Sequence, residues 1–189
     1  SIFGKILRID PLGSNSANKQ YGIPPANPFA NDGREDTLAE VYAYGLRNPQ
    51  RFTWDAKDGR MYVADIGENL VEEVSPVTAG ANLGWSVWEG SFRYAGTAGV
   101  DIANPRSAEG LTWPVVEFDH RDPLLPPRQA ITGLVVYREG PLTLLRNKMI
   151  FGDIAGGEIL YVDADNLPAG GNLTIRRVLL NDGGTPRSL

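Results

Sequence analysis

Apolar residues in this chain recur at a spacing of two, in short runs cut off by Gly, Pro, Asn and Asp, the pattern of half-buried strands joined by tight turns. Ile2 to Asp10 alternates as a strand and ends in Asp10-Pro11-Leu12-Gly13, a turn sequence. Residues 11 to 36 carry Pro11, Pro24, Pro25 and Pro28 among several Asn and Gly, which cannot sustain a helix or a central strand. A few residues of helix are expected near Arg34 to Ala39. Glu40 to Tyr44, Arg51 to Asp55, Arg60 to Asp65 and Glu72 to Val77 follow, rich in β-branched and aromatic residues, and their spacing predicts one antiparallel sheet. After the aromatic loop Asn82 to Tyr94 and a Gly/Pro/Asn-rich stretch to Pro114, strands are expected at Val115 to Asp119, Thr132 to Arg138, Lys148 to Asp153, Glu158 to Asp163 and Leu173 to Leu180. The class is all-β.

A chain of 189 residues, 42% hydrophobic and 22% charged, can bury a core within one or two domains. A net charge of -5 with no block of Lys or Arg argues against a nucleic-acid partner. With no cysteine and one histidine, His120, there is no disulfide, thiolate ligand, cysteine nucleophile or multi-histidine metal site. No apolar run approaches the roughly 20 residues of a membrane span, and Ser1 to Lys5 lacks the apolar core of a leader. The chain opens inside an expected strand, which predicts a fragment or processed product of a longer one.

Met61-Tyr62-Val63-Ala64-Asp65-Ile66-Gly67 and Met149-Ile150-Phe151-Gly152-Asp153-Ile154-Ala155 share apolar residues leading to a small residue, Asp-Ile, and another small residue. Such a repeat, with a strand following each copy, fits equivalent places in successive four-stranded units, the arrangement of a β-propeller. Convergence of two strand ends in a sandwich would give the same pattern.

Five ordered motifs carry a resemblance. They are Gly4-Lys5-Ile6-Leu7-Arg8-Ile9-Asp10-Pro11; Gly45-Leu46-Arg47-Asn48-Pro49-Gln50; Asp65-Ile66-Gly67-Glu68-Asn69 with Glu72-Glu73-Val74; Gly80-Ala81-Asn82-Leu83-Gly84-Trp85; and Ile131-Thr132-Gly133 with Phe151-Gly152-Asp153. Together they resemble the soluble glucose/sorbosone dehydrogenases, which include aldose sugar dehydrogenases and hedgehog-interacting-protein-like proteins. The resemblance implies a six-bladed propeller that uses pyrroloquinoline quinone (PQQ) and calcium to oxidise sugars, of which residues 1–189 would be one partial domain of about three four-stranded blades with long loops. It also implies a periplasmic or extracellular setting, a sugar substrate and an electron acceptor. Open blades expose unpaired edges, so self-association or a missing N-terminal half is expected.

A quinone tricarboxylate needs cations, hydrogen-bond donors and usually a divalent metal. By resemblance, Arg47 and Asn48 are the cofactor contacts and Gln50 holds the turn; an Arg47 paired with a neighbouring blade's carboxylate is the alternative. Calcium takes six to eight oxygens, many from carboxylates and backbone carbonyls. The resemblance assigns the catalytic calcium to the carbonyls of Gly67 and Glu68, although Glu68 stands where the family has proline, and a structural calcium to Glu73 and Leu83. A solvated turn whose aspartate caps backbone amides would have the same composition. No catalytic residue is assigned: the family's base histidine lies upstream of these residues, His120 reads as a structural hydrogen-bonder, and Ala155-Gly156-Gly157 replaces the lysine that meets the quinone. A non-catalytic propeller binding a protein or glycan is therefore the competing reading.

Trp85, Trp88, Phe92 and Tyr94 could stack on a sugar or pack between blades. Asn172-Leu173-Thr174 is a glycosylation sequon. No nucleophile elbow, phosphate loop or glycosidase carboxylate pair is present.

Overall fold

The computed structural model describes residues 1–106, 109–122, 130–168, 173–182 and 185–187; Asn172 of the sequon lies outside them. Strands are numbered in chain order. Pro49–Trp54 (β3), Met61–Asp65 (β4), Val71–Val77 (β5) and Val116–Asp119 (β9) form one antiparallel four-stranded sheet. Ile131–Tyr137 (β10), Lys148–Asp153 (β11), Glu158–Asp163 (β12) and Arg176–Arg177 (β13) form a second. In both, chain order equals sheet order, and the fourth strand leads to the first strand of the next sheet, with β10 lying against β3 and β4. This is the succession of blades in a β-propeller, here partial and not closed.

Two half-sheets flank the pair. Lys5–Leu7 (β1) pairs with Val41–Tyr44 (β2), and Leu180–Asp182 (β14) pairs with Thr185–Arg187 (β15). Residues 40–44 therefore do not join the sheet of 51–55, 60–65 and 72–77, and the fourth strand of that sheet is β9. A strand's own sequence fixes which face it buries but not its partner, and here the partner follows a long insertion. That insertion holds a three-stranded sheet of its own, Trp88–Glu89 (β6), Phe92–Tyr94 (β7) and Val100–Pro105 (β8), where the sequence predicted loop. Residues 34–39 form turns and bends rather than helix. The expected strands Ile2 to Asp10 and Leu173 to Leu180 contract to Lys5–Leu7 and to Arg176–Arg177 ahead of β14.

Every residue of β4 is buried, because its alternating side chains enter two cores. Tyr62 and Ala64 join Val74, Phe118, Ile131, Met149, Phe151 and Leu160 between the two blades, where the Phe118 and Phe151 rings stack at 5.9 Å. Met61 and Val63 join Ala43, Leu46, Val77 and Leu83 on the opposite face, beneath β1 and β2.

The Asp-Ile repeat has a structural cause. Asp65 ends β4 and its Oδ1 accepts the Asn48 N–H at 2.6 Å, while the Ile66 N–H donates to the Asn48 carbonyl at 3.2 Å. Asp153 ends β11, its Oδ1 accepts the Ala130 N–H at 2.7 Å, and the Ile154 N–H donates to the Ala130 carbonyl at 3.0 Å. Each pair grips both backbone groups of the residue just before its blade's first strand.

Candidate cofactor and cation site

The turn from β2 into β3 begins at Gly45, whose φ of +77° and contact with the Asn82 side chain leave no room for a Cβ. Asp65, rather than Gln50, then holds the turn: its second oxygen accepts the Arg47 N–H at 2.9 Å, whereas the exposed Gln50 side chain makes no hydrogen bond among the described residues and its carbonyl accepts from Arg51. The Arg47 guanidinium turns to the next loop, where Nε pairs with Glu68 and Nη1 donates to the Ile66 carbonyl at 3.3 Å. The partner of Arg47 thus belongs to its own blade. The Asn48 side chain is exposed and has no hydrogen-bond partner among the described residues.

Gly67 follows, and a Cβ there would collide with the Val71 carbonyl oxygen, so glycine is required where the loop folds back on β5. The neighbouring amides of Asn69, Leu70 and Val71 all donate to Glu89 Oε1, at 3.0, 2.7 and 2.9 Å. Glu89 comes from the inserted sheet and was not singled out from the sequence. Its signal was a lone acid in the aromatic run Val87-Trp88-Glu89-Gly90.

Asp65, Glu73 and Glu117 are directly paired across β4, β5 and β9. Such a row of like charges is unfavourable, and its two outer members are compensated. Asp65 has the two turn amides; Glu117 accepts from the Ser91 hydroxyl at 2.7 Å and from Arg106 at 3.0 Å. Glu73, between them, is buried with Oε2 unpartnered among the described residues, and Glu89 Oε2 is likewise buried and unpartnered. Burial, then the charges of Asp65, Glu117, Glu89 and Glu72, push the Glu73 carboxyl well above the usual carboxylate range. Burial lifts Asp65 to about 6 against the pull of the Arg47 and Asn48 amides, and raises Glu117 against its bonds to Ser91 and Arg106.

Leu83 sits in the loop below, its side chain in the core under β1 and β2 and its N–H donating to the Tyr44 carbonyl at 2.9 Å. The carbonyls of Gly67, Glu68 and Leu83 accept no hydrogen bond among the described residues. Among those residues no group of three or more Asp, Glu or His is arranged to hold a metal ion, so a cation here would depend on backbone oxygens as well as on Glu73.

Glu72 points the other way, into the blade junction. It is fully buried, accepts the Ile131 N–H at 2.9 Å, and lies 2.9 Å from His120 Nε2. Burial raises its pKa, and the Ile131 amide and His120 hold it down. His120 is thus a hydrogen-bonding partner of a buried carboxylate. Residues 155–157 form a turn on Asp153, which accepts the Gly156 N–H. Among the aromatics singled out from the sequence, Trp85 lies against Tyr94 at 4.8 Å and Trp88 edge-on to Trp113 at 5.1 Å. Among the described residues no helix is long and apolar enough to cross a membrane.

The family model for glucose/sorbosone dehydrogenase matches residues 1–184. The HIPL1 protein of Arabidopsis thaliana is 30% identical over 178 residues, covering 84% of this chain and 24% of that protein. The aldose sugar dehydrogenase YliI of Escherichia coli is 23% identical over 176 residues, 92% of this chain and 43% of that protein. Among solved structures, the PQQ-bound aldose sugar dehydrogenase of Streptomyces coelicolor superposes with a TM-score of 0.60 at 22% identity, over 93% of this chain and 40% of that one. The chain therefore spans less than half the length of the relatives it matches.

Proposed function

We propose that this chain, which belongs to the glucose/sorbosone dehydrogenase family, forms the part of a sugar dehydrogenase that holds PQQ beside calcium, with residues 1–189 acting as one domain. The observation that carries the reading is the Glu73 carboxylate, buried in a row of acids with one oxygen unpartnered. A buried carboxylate without a donor is costly, and a hard cation is the partner that its surroundings fit. Glu73 and the Leu83 carbonyl would hold one calcium and the carbonyls of Gly67 and Glu68 another, with water completing each shell.

Asn48 offers a carboxamide with no partner among the described residues, on a turn fixed by Asp65. Arg47 stands beside it, its charge shared with Glu68, so it would orient a carboxylate ligand rather than neutralise one alone. Bound PQQ would supply a two-electron acceptor for hydride from a sugar C1. The single histidine is committed to Glu72, so the proton of the sugar hydroxyl would go to a base outside these residues. This reading brings with it an aldose substrate, an electron acceptor, a periplasmic or extracellular setting, and either a second copy or an N-terminal half to cover the open sheets.

The Arg47–Glu68 pair and the turn at Ala155-Gly156-Gly157 favour a second reading, a propeller that binds a protein or glycan without oxidising it. Adding PQQ and calcium to the purified chain separates the two. Quinone absorbance that elutes with the protein and a calcium-dependent rise in melting temperature support the cofactor site. Dye reduction by aldoses is expected only when the missing part is supplied. Neither co-elution nor a calcium shift would leave the binding module.

A further inference from the structure

We infer, resting on the calcium reading proposed above, that Glu89 is a positioning residue for the cation. By drawing three consecutive loop amides onto one oxygen it aims the Glu68 carbonyl, so the inserted sheet sets how tightly calcium is held. The loop runs from Ile66 to Leu70, between β4 and β5. Its first carbonyl, of Ile66, accepts from Arg47, and its last, of Leu70, accepts the His120 N–H at 2.9 Å. Between them lie the carbonyls of Gly67 and Glu68, the proposed ligands. Among the described residues, the peptide joining Glu68 to Asn69 makes one hydrogen bond, from the Asn69 N–H to Glu89 Oε1 at 3.0 Å. That peptide is trans, and a trans peptide sets its N–H and C=O in opposite directions. The bond to Glu89 therefore turns the Glu68 carbonyl away from the inserted sheet. The Leu70 and Val71 amides pull the same way, at 2.7 and 2.9 Å. Leu70 shows the consequence already filled, since its carbonyl shares a peptide with the Val71 N–H and is the one that meets His120.

A residue that aims another must itself be held. Glu89 is buried at the end of β6, in a hairpin that docks on β5 and β9. Gly90 beside it has a φ of +58°, and a Cβ there would collide with the Val71 side chain and the Glu117 carboxyl, so the hairpin comes as close as glycine allows. The Ser91 hydroxyl then fastens it to Glu117 at 2.7 Å. Asn69 adds a second tie, its Nδ2 donating to the Gly96 carbonyl beyond β7 at 2.9 Å. Three neighbouring amides directed at one point form a concave donor group suited to an anion, and Glu89 fills it from 18 to 20 positions downstream. Residues that orient a metal's ligands without touching the metal commonly govern its affinity.

Calorimetric titration of the chelator-stripped protein with calcium, PQQ being present, tests this. A Glu73→Gln background leaves the loop carbonyls as the proposed cation site. On that background Glu89→Ala should weaken calcium binding by at least about 10-fold. Glu89→Gln, which keeps an acceptor in place of Oε1 but carries no charge, should retain most of the affinity. Equal losses in the two variants would assign the effect to the charge of Glu89 and overturn the inference, as would an alanine variant that binds as tightly as its parent. A parent that binds no calcium would sink the calcium reading itself, and the inference with it. Hydrogen exchange of the wild type needs no variant to fold: the Asn69, Leu70 and Val71 amides should be protected before calcium is added. Exchange at open-chain rates until calcium arrives would show that the metal shapes the loop, and would also overturn the inference.

Discussion

At one end of the paired blades, where β3 and β10 finish, Asp55 and Asp165 meet Arg138 and Lys57. Arg138 donates to Asp55 Oδ1 and to Asp165 at 2.7 Å each, and Lys57 reaches Asp165 at 2.7 Å. At the other end, where the same strands begin, Asp65, Glu73, Glu89 and Glu117 gather with Arg106 against Glu117 and, among the described residues, no cation against Glu73 or Glu89. The first arrangement joins residues 83 positions apart and is complete within the chain. The second leaves acceptors buried without donors, which a folded protein tolerates where something else completes them. The contrast sets a self-balanced scaffold at one end against the end where the cofactor and cation site is proposed.

The largest expected effect is at the balanced end. Arg138→Ala strands the buried Asp55 and unties the blades, and should cost about 3–5 kcal/mol in urea denaturation. Arg138 holds the Asp55 carboxyl below the usual range, with the Lys57 amide adding to the effect. Its contribution is therefore complete above the unfolded value of about 4 and is lost as pH falls through the lower folded value. Denaturation below about pH 4 should show that loss in the wild type and a flatter acid limb in Asp55→Asn.

Next come the clamps. Asp65→Ala and Asp153→Ala should each cost about 2 kcal/mol, nearly equal because the geometry repeats, but only the former should abolish any PQQ co-elution. A large inequality in stability would break the equivalence of the two blades. At the acidic end Glu73→Gln should have the opposite sign, stabilising by on the order of 1 kcal/mol in chelator while removing the stabilisation that calcium confers; destabilisation in chelator would argue against an uncompensated charge. The smallest effect sharpens the first. Lys57 is largely exposed, so Lys57→Ala should shift stability by under about 0.5 kcal/mol.

Much of this contrast was legible in sequence, but unevenly. The Asp65 and Asp153 repeats were visible because a strand end needing a side-chain acceptor constrains several adjacent positions. The Arg47-Asn48 turn was likewise a local signal. What pairs with what was not local. The place of β2 outside its neighbours' sheet, and of β9 within it, depends on contacts across an insertion, and β6 to β8 are too short for alternation to show. Glu89 and Arg106, which complete the acidic end, reach it only through that insertion, so no spacing around Glu73 announced them.

The paired grips of Asp65-Ile66 and Asp153-Ile154 separate construction from embellishment. They act on Asn48 and Ala130, the residues from which β3 and β10 set out, reached through residues 45–48 in one case and 120–130 in the other. Connections so different in length arrive at the same anchorage, because the departure point is secured by the strand that comes later in the chain. Such a joint lets the linking segments be rewritten, lengthened or decorated over evolutionary time while the frame behind them keeps its dimensions.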